Sequence, residues 1–423
     1  MERSSHLYQT YLNILQHELI TAMGCTEPIA VAYCSAIARE VLGTIPGRVE
    51  AEVSSNIINN IRSVIVPNTG GLRGIEAAAA AGIIAGRVDR GLEVIPDVTD
   101  EQKKRIRDYL HTRPVLVSAA DTDHSLDIKI TVCSNHDKAS VQIRDGHTNV
   151  IRIEKNGEVL YEKNSRSSIC SHEQDCSLLT MEKIYDFAET ADLDDVVEML
   201  DRQMRCNSEI AEEGLRGNYG ANIGSVLLTS YGDNVKIRAK AMAAAGSDAR
   251  MSGCALPVVI NSGSGNQGLT VTMPLIVFAE EYGIEQDRLY RALLISNLSA
   301  IHLSSQAGKF SACCGAVTAG ASAGAGIAYL LGGGLEEINH TLLNALSITS
   351  GIICDGARAS CAARIAASVD AGILGYNMYQ NGQEFYDGDS VGVESAICQI
   401  GRRGIMTDTS SDQSDFPQIS CVD

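Results

Sequence analysis

The sequence predicts an α+β protein: a predominantly helical core rich in Gly and Ala, with a smaller α/β meander beside it. Three observations carry this. Residues 112 to 162 repeatedly alternate apolar and polar side chains, the period of strands. From about residue 180 onward the pattern is helical almost to the end. Small residues punctuate that stretch, as in Ala241 to Gly246, Gly320 to Gly326 and Gly332 to Gly334. With 423 residues, 45% of them hydrophobic and 20% charged, the chain can bury a large core.

The elements follow in order. Tyr8, Tyr11, Leu12, Leu15 and Leu19 fall at helical spacing and predict a helix over 6–21. A second helix is expected from Thr26 to Leu42. Thr26 is a candidate cap, Glu27 suits the positive end of the dipole, Pro28 fits the first turn, and Gly43 stops the helix. Val49, Ala51 and Val53 alternate with Glu50 and Glu52 as a strand. Gly70-Gly71 opens an Ala-rich helix over 74–88. Strands are expected at Val115–Val117, 128–132, 139–144 and 149–154, with a hairpin turn at Asn156-Gly157. Residues 164–177 are polar and Ser-rich and read as a loop. The chain divides into N-terminal helices (1–45), a small α+β region (46–178), a helical region (179–404) and a tail (405–423) whose Ser and Asp content predicts disorder.

Composition excludes some functions. A net charge of −18 without a basic stripe argues against nucleic acid, and the chain has no Trp and only five Phe to stack on bases. The N-terminus shows no apolar signal core, so thirteen cysteines imply free thiols in a reducing compartment, and a cytoplasmic protein is expected. Cys314 to Gly334 carries no charge, but it is mostly Gly, Ala and Ser. It reads as a buried helix rather than a membrane span. Self-association remains open.

Four cysteines stand out. Cys314, Cys354 and Cys361 lie among Gly, Ala and Ser, which leave space for an object that is not a side chain. Thiolates are the ligands of iron–sulfur clusters. Equally, free cysteines often serve as small buried apolar residues, and the spacing of Cys354 and Cys361 matches no common zinc or ferredoxin pattern. Cys25 stands before a predicted helix N-terminus, where the dipole favours a thiolate able to act as nucleophile or base; a buried structural thiol is the plainer alternative. The run Asn261 to Gly268, with Ser262, Ser264 and Asn266, offers hydroxyls, amides and backbone N–H groups to an anion, or is simply a turn. Asn56 belongs to a second polar run of this kind. Lys309, five residues before Cys314, is a candidate cation for an anionic substrate, or a solvated lysine.

Together these runs resemble the L-cysteine desulfidase family, within the iron–sulfur L-serine dehydratase α-chain-like superfamily that includes the UPF0597 proteins. The likeness spans about residue 10 to about 400 and rests on Gly24-Cys25-Thr26-Glu27-Pro28, the Ser262-to-Gly268 loop, Cys314-Gly315-Ala316 and Cys354-Asp355-Gly356-Ala357 through Ser360-Cys361. The resemblance implies a [4Fe–4S] cluster on Cys314, Cys354 and Cys361, with Cys313 set aside as an adjacent competitor. It makes 179–404 the cluster-binding region and Cys25 the proton acceptor. It implies α,β-elimination from L-cysteine to pyruvate, ammonia and hydrogen sulfide. Thr26, Glu27, Asn56, Ser262, Ser264, Asn266 and Lys309 are the expected substrate-binding residues. L-Serine dehydration by the same machinery is the first alternative. Pyridoxal phosphate elimination would need a Schiff-base lysine, and only Lys309 sits in a suitable Gly/Ser setting. A cluster-bearing redox sensor would need neither Cys25 nor the anion loops.

Overall fold

In the computed structural model, the described residues are 1–62, 64–163, 175–307, 314–354 and 356–385. Lys309, Cys313, most of the Ser-rich loop and the tail from 405 lie outside them. The fold is α+β and dominated by helix.

Helix α1 (His6–Glu18) begins at Ser5, whose hydroxyl accepts the Tyr8 amide. It stops short of the expected residue 21 because Thr21–Met23 is drawn into strand β1. Gly24 turns the chain from β1 into helix α2 (Thr26–Leu42). It has φ +62°, and a Cβ there would run into the Pro67 ring, so both conformation and space call for glycine. The N-cap of α2 is Cys25, not Thr26, and its side chain makes no capping bond. Gly43, at φ +86°, ends the helix in the left-handed conformation.

Strand β2 (Arg48–Val53) leads into α3 (Ser55–Ile61), α4 (Gly74–Ala85) and α5 (Asp100–Thr112). Strands β3 (Val115–Ala119), β4 (Asp127–Cys133), β5 (Lys138–Arg144), β6 (Val150–Lys155) and β7 (Glu158–Glu162) complete a sheet ordered β3-β2-β4-β5-β6-β7. β2 and β3 run parallel across the helical crossover; the other pairs are antiparallel. Asn156 and Gly157 both have positive φ, as the two-residue hairpin turn requires. Helix α2 is sandwiched. The Cys34 thiol donates to the Val141 carbonyl of the sheet at 3.3 Å, and on the other side Gly82 of α4 lies against the Ala32 backbone. Such close packing fixes the helix that carries Cys25.

The helical part holds α6 (Met181–Thr190), α7 (Val197–Arg216), α8 (Ile223–Tyr231), α9 (Val235–Met251), α10 (Gly265–Tyr282), α11 (Gln286–Ala307), α12 (Gly315–Leu330), α13 (Leu335–Thr349) and α14 (Ser360–Gln380). Between α9 and α10, strand β8 (Pro257–Val259) pairs antiparallel with β1, Met23 opposite Pro257 and Thr21 opposite Val259. This clasp brings the N-terminal segment onto the helical part. No helix of the described residues is long and apolar enough to cross a membrane.

Helices α12 and α14 touch backbone to backbone. A Cβ on Gly320 would lie 2.5 Å from Ser368, and one on Gly324 would lie 2.7 Å from the Gly372 carbonyl. The contacts advance together along both chains, so the helices run parallel and their N-terminal ends lie side by side. Cys314 caps one, and Cys361 is the second residue of the other. Gly372→Ala should therefore destabilise the fold by about 1–3 kcal/mol, the usual cost of overpacking. Thermal denaturation checks it; an unchanged Tm would show that the helices separate freely.

Candidate functional site

Four segments converge. The Cys314 amide donates to the Ile352 carbonyl at 3.1 Å, which ties the start of α12 to the chain just before Cys354. The Cys314 and Cys354 thiols are hydrogen-bonded, and Cys361 lies within the electrostatic reach of both. Cys314 is buried, Cys361 half-buried and Cys354 exposed, so the trio runs from the interior to the surface. The hydrogen bond from Cys354, with burial, pushes the Cys314 thiol far above its ordinary value. Burial and Cys354 raise Cys361. Cys314 and Cys361 are then protonated at neutral pH, and binding a metal would release their protons.

Among the described residues no group of three His, Cys, Asp or Glu side chains converges to hold a metal ion. A single ion needs every ligand at one centre, whereas a cubane cluster takes each thiolate on a different iron. Three sulfur donors lie at the adjoining N-terminal ends of two glycine-packed helices, and thiolates are the donor type that iron–sulfur clusters take.

Cys25 reaches this place from the far end of the sequence. It is 3% exposed and packs with Val64 and Met251, and Ala357 of the Cys354–Cys361 loop lies against the same cluster. Its thiol donates to Glu27 Oε2 at 2.9 Å, and the Thr26 hydroxyl donates to the same oxygen at 3.2 Å. Burial and the Glu27 charge raise the Cys25 thiol well above its ordinary value, with Arg250 opposing. The helix start does not supply the thiolate expected there, because lost hydration and a neighbouring carboxylate outweigh the dipole. Burial pushes Glu27 up too, but His147, the Cys25 thiol and Arg250 outweigh it and hold the carboxyl below its ordinary range. At rest the proton sits on sulfur and the charge on Glu27.

The Ser262–Gly268 loop joins the two groups. Ser262 has φ +49° and donates to the Asn261 side chain at 2.8 Å. Ser264 caps α10 without a side-chain bond. Asn266 Oδ1 accepts from Arg250 Nη1 at 3.0 Å. A Cβ on Gly315, next to Cys314, would lie 2.6 Å from Gln267 Nε2. Asn56 is exposed and donates to the Ser125 carbonyl at 3.4 Å; one turn on, Asn59 and Asn60 of α3 lie against the cysteine loop at Gly356.

Two further residues of the site, Arg250 and His147, belong to none of the runs singled out in the sequence. Arg250, at the end of α9, is 2% exposed and acts electrostatically on Cys25, Glu27, His147 and Cys361. His147 comes from the turn between β5 and β6 and lies over Gly263, where a Cβ would be 3.4 Å from its Cε1. Burial lowers its pKa, Arg250 adds to this, and Glu27 opposes. A composition cue for Arg250 did exist, a lone cation within Ala241 to Met251, but its surroundings could not be read locally.

The arrangement sets a hydrogen-bonded thiol–carboxylate pair, Cys25 and Glu27, against the loop of Cys354 and Cys361 and near a buried cation. The pattern of the family described as "Serine dehydratase alpha chain" matches residues 89–411. A UPF0597 protein of Desulfitobacterium hafniense is 55% identical over 407 residues, 96% of this chain and 95% of that protein. One of Lachnoclostridium phytofermentans is 48% identical, covering 91% and 92%. One of Treponema denticola is 43% identical, covering 95% of each. With three cysteines at adjoining helix ends, Cys25 brought to meet them and these matches over most of its length, the chain belongs to the serine dehydratase alpha-chain family and to its UPF0597 members.

Proposed function

We propose that the protein is a [4Fe–4S]-dependent lyase that eliminates sulfide from L-cysteine. Family membership supports the lyase class. The observation that carries the reading further is the packing of Cys25, bonded to Glu27, against the loop of Cys354 and Cys361. Cys314, Cys354 and Cys361 would hold the cluster. When bound, it supplies an iron without a protein ligand, a Lewis acid for the departing group.

The chain's own residues carry the proton. Cys25 Sγ takes the α-proton as its own proton passes to Glu27 Oε2, so no free thiolate is needed beforehand. The electron pair left on Cα forms the double bond to Cβ, and the Cβ–S bond breaks. The released 2-aminoacrylate hydrolyses to pyruvate and ammonia. The Ser262–Gly268 loop and Lys309 are the anion-binding groups of this reading. Thr26, which also donates to Glu27, holds that carboxylate in line.

Dehydration of L-serine is the second reading, favoured by the name of the matching family. Anaerobically purified protein assayed for pyruvate with L-cysteine and L-serine, and for sulfide with the former, tests both. The expected result is faster release from L-cysteine, with activity that decays in air and returns with ferrous iron and reductant. Unchanged turnover after aeration and chelation would rule out the cluster, and faster turnover of L-serine would make this a dehydratase.

A further inference from the structure

We infer that Arg250 is the anchor for the α-carboxylate of the amino acid substrate. The inference rests on the amino-acid lyase reading above and assigns its anion site to a residue that no motif marks.

Among the described residues no carboxylate bonds to the buried Arg250 cation. At 2% exposure its guanidinium has lost its water. Nη1 donates to Asn266 Oδ1 at 3.0 Å and to Met251 Sδ at 3.4 Å, and both acceptors are neutral. Nε is hidden from solvent and has no hydrogen-bond partner among the described residues. Two described carboxylates nearby, Asp248 and Glu27, do not neutralise it by contact. Asp248, two residues earlier on the same helix, accepts from the Ala221 and Ile223 amides at 3.3 and 2.7 Å. Glu27 acts on Arg250 only through space, and its bonds come from Cys25 and Thr26.

A folded chain rarely keeps a desolvated charge unpaired, because the lost hydration is not recovered. A planar guanidinium with free donors matches a carboxylate, which it can hold with two parallel bonds. Gly265 packs its backbone against Nε, where a Cβ would lie 2.4 Å away, so a ligand has to come to the terminal nitrogens. Cys25, Glu27, His147 and Cys361 all feel the Arg250 charge. A carboxylate seated on Arg250 thus brings the α-carbon to the corner shared by the Cys25 thiol and Glu27. The anionic Glu27 then faces the substrate ammonium.

The competing anion is the thiolate trio itself, through Cys361. Calorimetric titration of iron-loaded protein under anaerobic conditions separates the two. L-Alanine carries the zwitterion without a leaving group; ethylamine lacks the carboxylate. The wild type should bind L-alanine and not ethylamine. Arg250→Gln should bind L-alanine about 10–100-fold more weakly at equal iron content, the loss of a charge-assisted bond. Asn266→Asp keeps the buried cation but hands it an internal carboxylate, and should weaken L-alanine to a similar degree. That variant carries the test if Arg250→Gln does not fold. The inference is overturned if the wild type ignores L-alanine, if both variants bind it as the wild type does, or if they lose iron while affinity is unchanged. If L-alanine binding depends on Arg250 but no amino acid yields pyruvate, the lyase reading fails and the carboxylate site stands.

Discussion

Replacing Cys354 by alanine should yield a folded, colourless protein with no measurable pyruvate formation. Cys354 is exposed, so the substitution opens no cavity in the core and costs little stability. Its thiol meets Cys314, and the loss leaves two soft donors instead of three. The same change at Cys314 or Cys361 should also remove the colour, but Cys314 is buried and its loss also disturbs packing. The measurement is iron per chain and the visible spectrum after anaerobic reconstitution, beside a thermal melt. A variant that keeps about four irons per chain would remove Cys354 from the ligand set.

Replacing Cys25 by alanine should have the opposite signature: iron and colour retained, turnover reduced by about 10²–10⁴-fold, the usual cost of a missing general base. The thiol sits in a small cluster with Val64 and Met251, and Thr26 still donates to Glu27 when it is gone, so the helix start holds. Cys25→Ser keeps a donor to Glu27 but should also be weak, because a hydroxyl accepts the α-proton poorly. Glu27→Gln removes the acceptor of the Cys25 proton and should lower kcat with iron unchanged. Exchange of the substrate α-proton with deuterated solvent, measured on the same preparations, separates base from ligand. Loss of iron in Cys25→Ala would make Cys25 a ligand. Retained exchange would move the base elsewhere, and Lys309 is then the next residue to change.

Helix α2 was legible because its ends are written locally, in Glu27-Pro28 and in Gly43, and its observed span is the expected Thr26–Leu42. The sheet was legible because β4 and β5 alternate apolar and polar side chains, with Ile128, Ile130, Val132, Val141 and Ile143 in the core, which makes the period of two visible. The helices after residue 180 were legible as a class but poorly bounded. α12 is buried along nearly its whole length, so its apolar residues form no stripe from which to read a face. Strands β1 and β8 were not foreseen, since three residues carry no period. Arg250 reads locally as a cation suited to a helix C-terminus, and His147 as part of a polar turn. What makes each a site residue is the removal of water by segments distant in the chain. The raised Cys25 thiol was missed for the same reason: the helix start can be read locally, and its burial cannot.

The clasp of β1 and β8 has a consequence for the order in which this protein is made. During synthesis Cys25 leaves the ribosome early, two residues after a three-residue strand whose partner at Pro257–Val259 does not yet exist. Cys314, Cys354 and Cys361 follow later still. The nascent chain therefore carries an uncovered thiol through most of its translation, and only the ribosome's late output buries it. Closing so long a loop is slow compared with forming the helices on either side. A pulse of thiol-labelling reagent given to stalled nascent chains should modify Cys25 until the stall point passes β8, and should cease to do so once β8 has emerged and paired.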